Sequence, residues 1–381
     1  MKNTTTTSST SKLAEVFAVF FKMGCFAFGG PAVHIALMEE EIVRKRKWMT
    51  HAHFLDLMGA TNLIPGPNST EMTMHCGHER AGFKGLLVAG LSFIFPAIII
   101  TGVLAWLYVE YGSLPSVEPF IIGIKPAVLA VIAGAVLKLG KKAVKGWELA
   151  AIGVLTLLAS FWISEVIALL AAGLVGVLYF SMKNQTNLEK KALVPLLSIP
   201  VVNTLAIQLT SLKIFWIFLK VGAILYGSGY VLFAYLDAEL VAKGFLTQQQ
   251  LMDAVAVGQF TPGPVLSTAT FIGYQLNGIY GAIASTAGIF LPSFILVIIL
   301  NPFVPKMRKS KILGYFLDAV NVAAVAVMLA VLVKMSWITL VDWKMIVIAT
   351  LSFFVVFYIK KVSAMWIILG GAILGYLLYL L

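Results

Sequence analysis

Two short polar knots interrupt the apolar runs of this chain: NLIPGPNST at 62–70 and QFTPGPVLST at 259–268. Proline lacks an amide donor and clashes with the preceding turn, so no helix runs smoothly through Pro-Gly-Pro. A helix can start there, and Pro67 and Pro264 are placed to open one each. Ser69, Thr70, Ser267 and Thr268 then fall in a first turn, where amides lack intrahelical partners and the dipole end is positive. Such a terminus holds anions. A Gly-rich break precedes each knot, Phe28-Gly29-Gly30-Pro31 and Tyr226-Gly227-Ser228-Gly229. Lys22 and Lys220 stand in apolar segments shortly before these breaks. An intramembrane lysine costs about 2.5–3.5 kcal/mol, which points to function. The plainer alternatives are a kink or interfacial turn for each knot, and a lysine that snorkels to the headgroups.

The candidate substrate-binding residues are therefore Lys22, Gly29, Gly30, Asn62, Pro65, Gly66, Pro67, Asn68, Ser69 and Thr70 in the first set. Lys220, Gly227, Ser228, Gly229, Gln259, Thr261, Pro262, Gly263, Pro264, Ser267 and Thr268 form the second. Repeated carboxylates are candidates for proton coupling: Glu41 matches Glu239, and Asp56 matches Asp253. Asp56 and Asp253 each lie nine residues before the first proline of a knot. Helix capping or an interfacial position is the other reading of these acids. All five histidines, His34, His51, His53, His75 and His78, fall in the first half without a counterpart in the second. "HCGHE" at 75–79 is not the zinc-protease pattern, so the cluster is peripheral and no metal site is expected. No nucleophile triad, P-loop or dinucleotide fingerprint occurs, which excludes the common enzyme classes and calls for no cofactor.

The elements that must position these residues are membrane helices. Of 381 residues, 60% are hydrophobic and only 12% charged, more apolar surface than a soluble domain can hide. Apolar runs at 86–108, 119–138, 282–300, 317–335, 343–359 and 363–381 each suit a span, and 147–180 suits two with a break near Ser164-Glu165. The fold class is an all-α polytopic membrane protein of about ten spans plus broken Pro-Gly-Pro hairpins. The polar start, MKNTTTTSSTSK, lacks a signal-peptide layout, so no cleaved leader is expected. Cys25 and Cys76 make no disulfide framework. The net charge of +11 sits in short loops, where the positive-inside bias accounts for it and nucleic acid is not implied. Association into a homodimer fits this class, although no small-residue motif specifies it.

The chain is duplicated. FKMGCFAFGG at 21–30 matches LKVGAILYGS at 219–228, and MTHAHFLDLMGATNLIPGP at 49–67 matches LTQQQLMDAVAVGQFTPGP at 246–264. GFKG at 82–85 matches GIYG at 278–281, and FPA at 95–97 matches LPS at 291–293. The repeats are 1–191 and 192–381. Basic loops set their directions. Arg80 and Lys84 precede the span 86–108, whereas KMRKSK at 306–311 follows its equivalent, 282–300. Equivalent spans thus point in opposite directions, an inverted repeat common among secondary transporters.

The paired FKMGCFAFGGP…LIPGP and LKVGAILYGSG…FTPGP resemble the chromate ion transporter (CHR) family in its long, two-repeat form, over nearly the whole chain. The resemblance implies a multi-pass protein of the cell (inner) membrane that exports chromate and confers chromate resistance, with sulfate as a related oxyanion. Ser228-Gly229 in place of Gly30-Pro31, and Gln259 in place of Asn62, depart from full symmetry. A sulfate carrier or exchanger, an anion channel and a metalloenzyme are the competing readings. A dianion leaving a cell that is negative inside gains about 4.6 kcal/mol per 100 mV, which favours export.

Overall fold

The computed structural model describes residues 9–28, 30–61, 64–112, 114, 117–163, 165–184, 210–226, 231–300, 310–359 and 362–380. Gly29, Asn62, Gly227, Ser228 and Gly229 lie outside them, as do most of 193–211 and of the basic segment 306–311. The described residues form helices without strands, seven per repeat. The first seven are α1 (Ser9–Phe26), α2 (Pro31–Met38), α3 (His51–Thr61), α4 (Asn68–Tyr111), α5 (Glu118–Ala143), α6 (Trp147–Ala159) and α7 (Glu165–Lys183). Their counterparts are α8 (Ser211–Ile224), α9 (Leu232–Leu236), α10 (Gln248–Phe260), α11 (Thr268–Leu300), α12 (Lys311–Thr339), α13 (Trp343–Tyr358) and α14 (Ala364–Tyr379). A π-helical turn follows α2 and α9 alike, Glu39–Lys45 and Asp237–Val241.

Four helices, α4, α5, α11 and α12, are long and apolar enough to cross a membrane unaided, and α6, α7, α13 and α14 are shorter apolar helices. They cover the apolar runs read from the sequence, with the break in 147–180 falling between α6 and α7. Exposed tryptophans mark helix ends, with Trp147 opening α6, Trp337 closing α12, and Trp343 and Trp366 near the starts of α13 and α14. Such rings sit at the membrane–water boundary.

α4 is a hairpin rather than one rod. The helix breaks at Ala81-Gly82, with Gly82 at φ 64°. Gly77 and Gly85 then meet so closely that a Cβ on either would collide with the carbonyl of the other. α11 repeats the device with Asn277-Gly278 at the turn and Gly273 against Gly281. The arm 68–80 is roughly 20 Å long at 1.5 Å per residue. With the polar tip at Arg80–Lys84 at the surface, its start lies near the middle of a core of about 30 Å. The second arm, 83–111, spans fully.

The repeats interlock with reciprocal symmetry. α5 packs on α13 and α14 of the other repeat, and α12 packs on α6 and α7. Equivalent helices run antiparallel. Gly90 lies against Phe294, while Thr101 bonds Ser267, which the hairpin closed by Gly273 and Gly281 sets nearer the tip than Phe294, so the second arms of α4 and α11 oppose each other. Met252 and Asp253 of α10 touch Thr339 of α12 and Lys125 of α5, while Gly140 faces Val325, so α5 and α12 also oppose each other. This is the geometry of an inverted repeat. Cysteines replacing Lys84 and Tyr280, at the two hairpin tips, should therefore be labelled by an impermeant maleimide from opposite sides of the membrane. Labelling of both from one side would exclude the inversion.

Candidate functional site

Each Pro-Gly-Pro turn is held by the opposite repeat. The Gly66 amide donates to Leu225 O (2.7 Å), and the Gly263 amide donates to Ala27 O (3.0 Å). Leu225 and Ala27 occupy matching places, each just after the helix that precedes a Gly-rich break. Glycine is required at both turns. Gly66 has φ 141° with Glu71 Oε1 and Ser293 Oγ in the space a Cβ would fill, and Gly263 has φ 81° with Ala97 Cβ 2.9 Å from that point. Pro67 caps α4, while Pro264 caps a 3-10 turn, Val265–Ser267, that leads into α11. Both helices thus begin at the crossing, as the prolines required. His34, read from sequence as peripheral, also reaches it: its Nε2 lies 3.0 Å from Ala27 O, so the ring and Gly263 share one carbonyl.

Pro65, Gly66, Pro67, Ser69, Thr70, Gln259, Thr261, Pro262, Gly263, Pro264, Ser267 and Thr268 are all buried around this crossing, with Asn68 at its edge and Gly30 at the first break. Their hydroxyls are unevenly used. Ser267 is bonded by Thr101 across the repeats (3.2 Å). Thr70 Oγ1, Ser293 Oγ and both oxygens of Glu71 are buried without a well-formed hydrogen bond in the protein. Orphaned polar atoms cost about 1–3 kcal/mol each. They gather at the start of α4, beside a dipole end that favours negative charge, where two hydroxyls and a carboxyl share one buried place.

The charged candidates lie elsewhere. Lys22 is on the exposed face of α1. Lys220 is joined to Glu239 (2.5 Å), which also holds Lys243 (2.6 Å). Asp56 is exposed on α3. Glu41 sits in the π turn beside Arg46 (2.9 Å) and Lys45 (3.5 Å). Partial burial pushes its carboxyl up, but the guanidinium and ammonium outweigh this and hold it below the ordinary range. Of the original four, Glu239 and Asp253 are buried, and Asp253 accepts from Tyr108 Oη (2.6 Å) and lies 3.6 Å from Lys125. It borders a cavity of about 340 Å³ with walls of Leu104, Ile121, Val257 and Phe260. That cavity is apolar and suits no anion. Lys125 and Glu71 had no signal in the sequence beyond being charged residues inside apolar helices. Among the described residues no cluster of His, Cys, Asp or Glu could hold a metal, and His51 and His53 pair at the surface with Glu39 and Glu79.

An all-helical, duplicated chain whose broken helices meet inside the bilayer is a polytopic membrane transporter. Its sequence matches the chromate transporter family model over residues 14–177 and again over 212–376, so the chain belongs to that family. It is 30% identical to a chromate transport protein of Cupriavidus metallidurans over 98% of this chain and 95% of that one. A probable chromate transport protein of Synechococcus elongatus is 30% identical over 82% of this chain and 81% of its own length. A chromate transport protein of Pseudomonas aeruginosa is 27% identical over 96% and 92%. No solved structure matches the chain. The protein is thus a multi-pass component of the cell membrane and not an enzyme.

Two substitutions test the site. Gly66→Ala and Gly263→Ala should each lower the melting temperature of the detergent-purified protein, at a cost of about 1–3 kcal/mol for the forced backbone. Unchanged melting in both would remove the crossing from the stability of the fold. Lys125→Ala leaves Asp253 buried without its cation and should cost about 3–5 kcal/mol. Adding Asp253→Asn should recover part of that loss, measured by the same melting.

Proposed function

We propose that this protein is a secondary active carrier that moves chromate, a tetrahedral oxyanion, out of the cytoplasm and so confers chromate resistance. The observation that carries the reading is the buried crossing, where two helices begin side by side with the Thr70 and Ser293 hydroxyls around the first of them. Family membership supplies the substrate class. The two repeats, 1–191 and 192–381, act as inverted halves around the crossing. Lys22 and Lys220 act at its approaches, and the residues at 62–70 and 259–268 supply the dipoles and hydroxyls that take the place of water around the anion. Gly29, Gly30, Gly227, Ser228 and Gly229 complete the proposed set of substrate-binding positions. The membrane potential assists an outgoing dianion, at about 2.3 kcal/mol per charge per 100 mV. Any proton coupling through Glu41, Asp56, Glu239 or Asp253 adds to that.

The test is uptake of labelled chromate into inside-out vesicles, with sulfate and phosphate as competitors. Saturable uptake that unlabelled chromate blocks better than sulfate is the expected outcome. Stronger block by sulfate would make this a sulfate carrier, and flux without saturation would make it a channel. No uptake above protein-free vesicles, with potential and pH gradients imposed, would overturn transport of chromate altogether.

A further inference from the structure

Glu71 stands at the first turn of α4 and is fully buried. Among the described residues no cation forms an ion pair with it. Its Oε1 lies in the space left by the absent side chain of Gly66, next to Ser293 Oγ of the other repeat. Gly66 in turn donates to Leu225 O, so the carboxyl rests directly on the bond that closes the first crossing. The second repeat has Thr268 at the matching place, and Ala97 where the first contact uses Ser293. Buried Thr268 Oγ1 donates to Val265 O (2.7 Å) and is satisfied there. One of two matching turns therefore carries an ionisable group and the other does not.

We infer that Glu71 is a proton-binding site built into the first Pro-Gly-Pro turn, neutral while the crossing is closed and ionised when the turn opens to water. An ionised carboxylate sealed from water beside one hydroxyl costs more than protonating it. The neutral form fits the closed pocket, with an O–H to offer Ser293. Opening the turn supplies water, and the proton leaves. The titratable group that faces it is Tyr226, which follows Leu225 at the second break and interacts with it electrostatically, and His75 comes one turn on along α4. Neither is a carboxylate that could replace it. The linkage has one sign. Opening releases a proton, so rising pH favours the open turn and falling pH favours the closed one. With one proton, the ratio of open to closed turns changes about tenfold per pH unit over the titration range. This inference rests on the oxyanion-carrier reading for its functional consequence, but the proton site itself does not.

The first experiment uses the wild-type protein in liposomes and needs no transport. Dicyclohexylcarbodiimide, which reacts with protonated carboxyls in apolar surroundings, should modify Glu71, faster at acid than at alkaline pH, with the site read by peptide mass spectrometry. Modification of other carboxyls without Glu71 would overturn the inference. The second measures exchange of labelled chromate in proteoliposomes across a pH series. Wild type should exchange faster as pH rises, and Glu71→Gln should lose most of that dependence. A Glu71→Gln profile as steep as wild type, or a wild type that exchanges chromate equally at every pH, would also overturn it. If Glu71→Gln fails to insert, Glu71→Asp decides: a displaced midpoint supports the site, and an unmoved one refutes it. Labelled Glu71 with no exchange of chromate in wild type would keep the proton site and sink the carrier reading instead.

Discussion

The structure depends on a backbone problem that lipid imposes. A helix broken at mid-membrane exposes amides and carbonyls to a solvent that cannot bond them, and each one left alone is costly. The chain solves this by exchange. Gly66 of one turn is satisfied by Leu225 of the other repeat, and Gly263 by Ala27. Neither repeat can complete its own break. The reciprocal packing of α5 on α13 and α14, and of α12 on α6 and α7, follows the same logic on a larger scale. It makes the two repeats one cooperative unit, with its polar backbone concentrated where the two α-helical starts meet. The close glycine contacts of Gly24 with the Phe93 carbonyl and Gly222 with the Ile289 carbonyl press α1 and α8 against this centre.

Symmetry holds for the backbone and fails for the chemistry. The glycines at 66 and 263, 77 and 273, 82 and 278, and 85 and 281 are all retained, because each permits a turn or a contact that no side chain allows. Side chains that carry charge have diverged. Glu71 faces Ser293, whereas Thr268 and Ala97 hold the equivalent places. Asp253 is buried with Lys125 and Tyr108, whereas Asp56 is exposed. Lys220 is tied to Glu239, whereas Lys22 is exposed on α1. An inverted repeat needs equal backbones to reach equivalent conformations on the two sides of a membrane. It does not need equal charges. Unequal charges make the two conformations differ in energy.

Much of this was legible in the sequence, and the reasons are local. Pro-Gly-Pro in an apolar run can only be a break, and the duplicated order of motifs could only be a repeat. The hairpin in α4 was harder. The run 86–108 announced itself by hydropathy, but the arm 68–80 carries Glu71, His75, His78, Glu79 and Arg80 and is too polar to stand out as a span. Only the contact of Gly77 with Gly85 shows it folded back into the protein. Charged partners were the least legible. Asp253 meets Tyr108 and Lys125 across more than a hundred residues, and no periodicity encodes such a meeting. Glu71, adjacent to the first knot, was not among the candidate acids. Its importance comes from being sealed by Ser293, 222 positions further on.

The crossing itself contains no free cation among the described residues, and this bears on how a dianion could pass. A lysine fixed in a dry site would hold a chromate-like ion too firmly, because Coulomb attraction grows as the dielectric falls. Helix ends and hydroxyls carry partial charges. They replace water around the ion without trapping it, as carbonyls do for cations in selective pores. The membrane potential acts on any such ion, at about 2.3 kcal/mol per charge per 100 mV. A site driven that way gains little from strong attraction and much from a means of closing when empty. A carboxyl that is neutral only in the closed turn provides one, because closing it empty requires a proton rather than an ion pair.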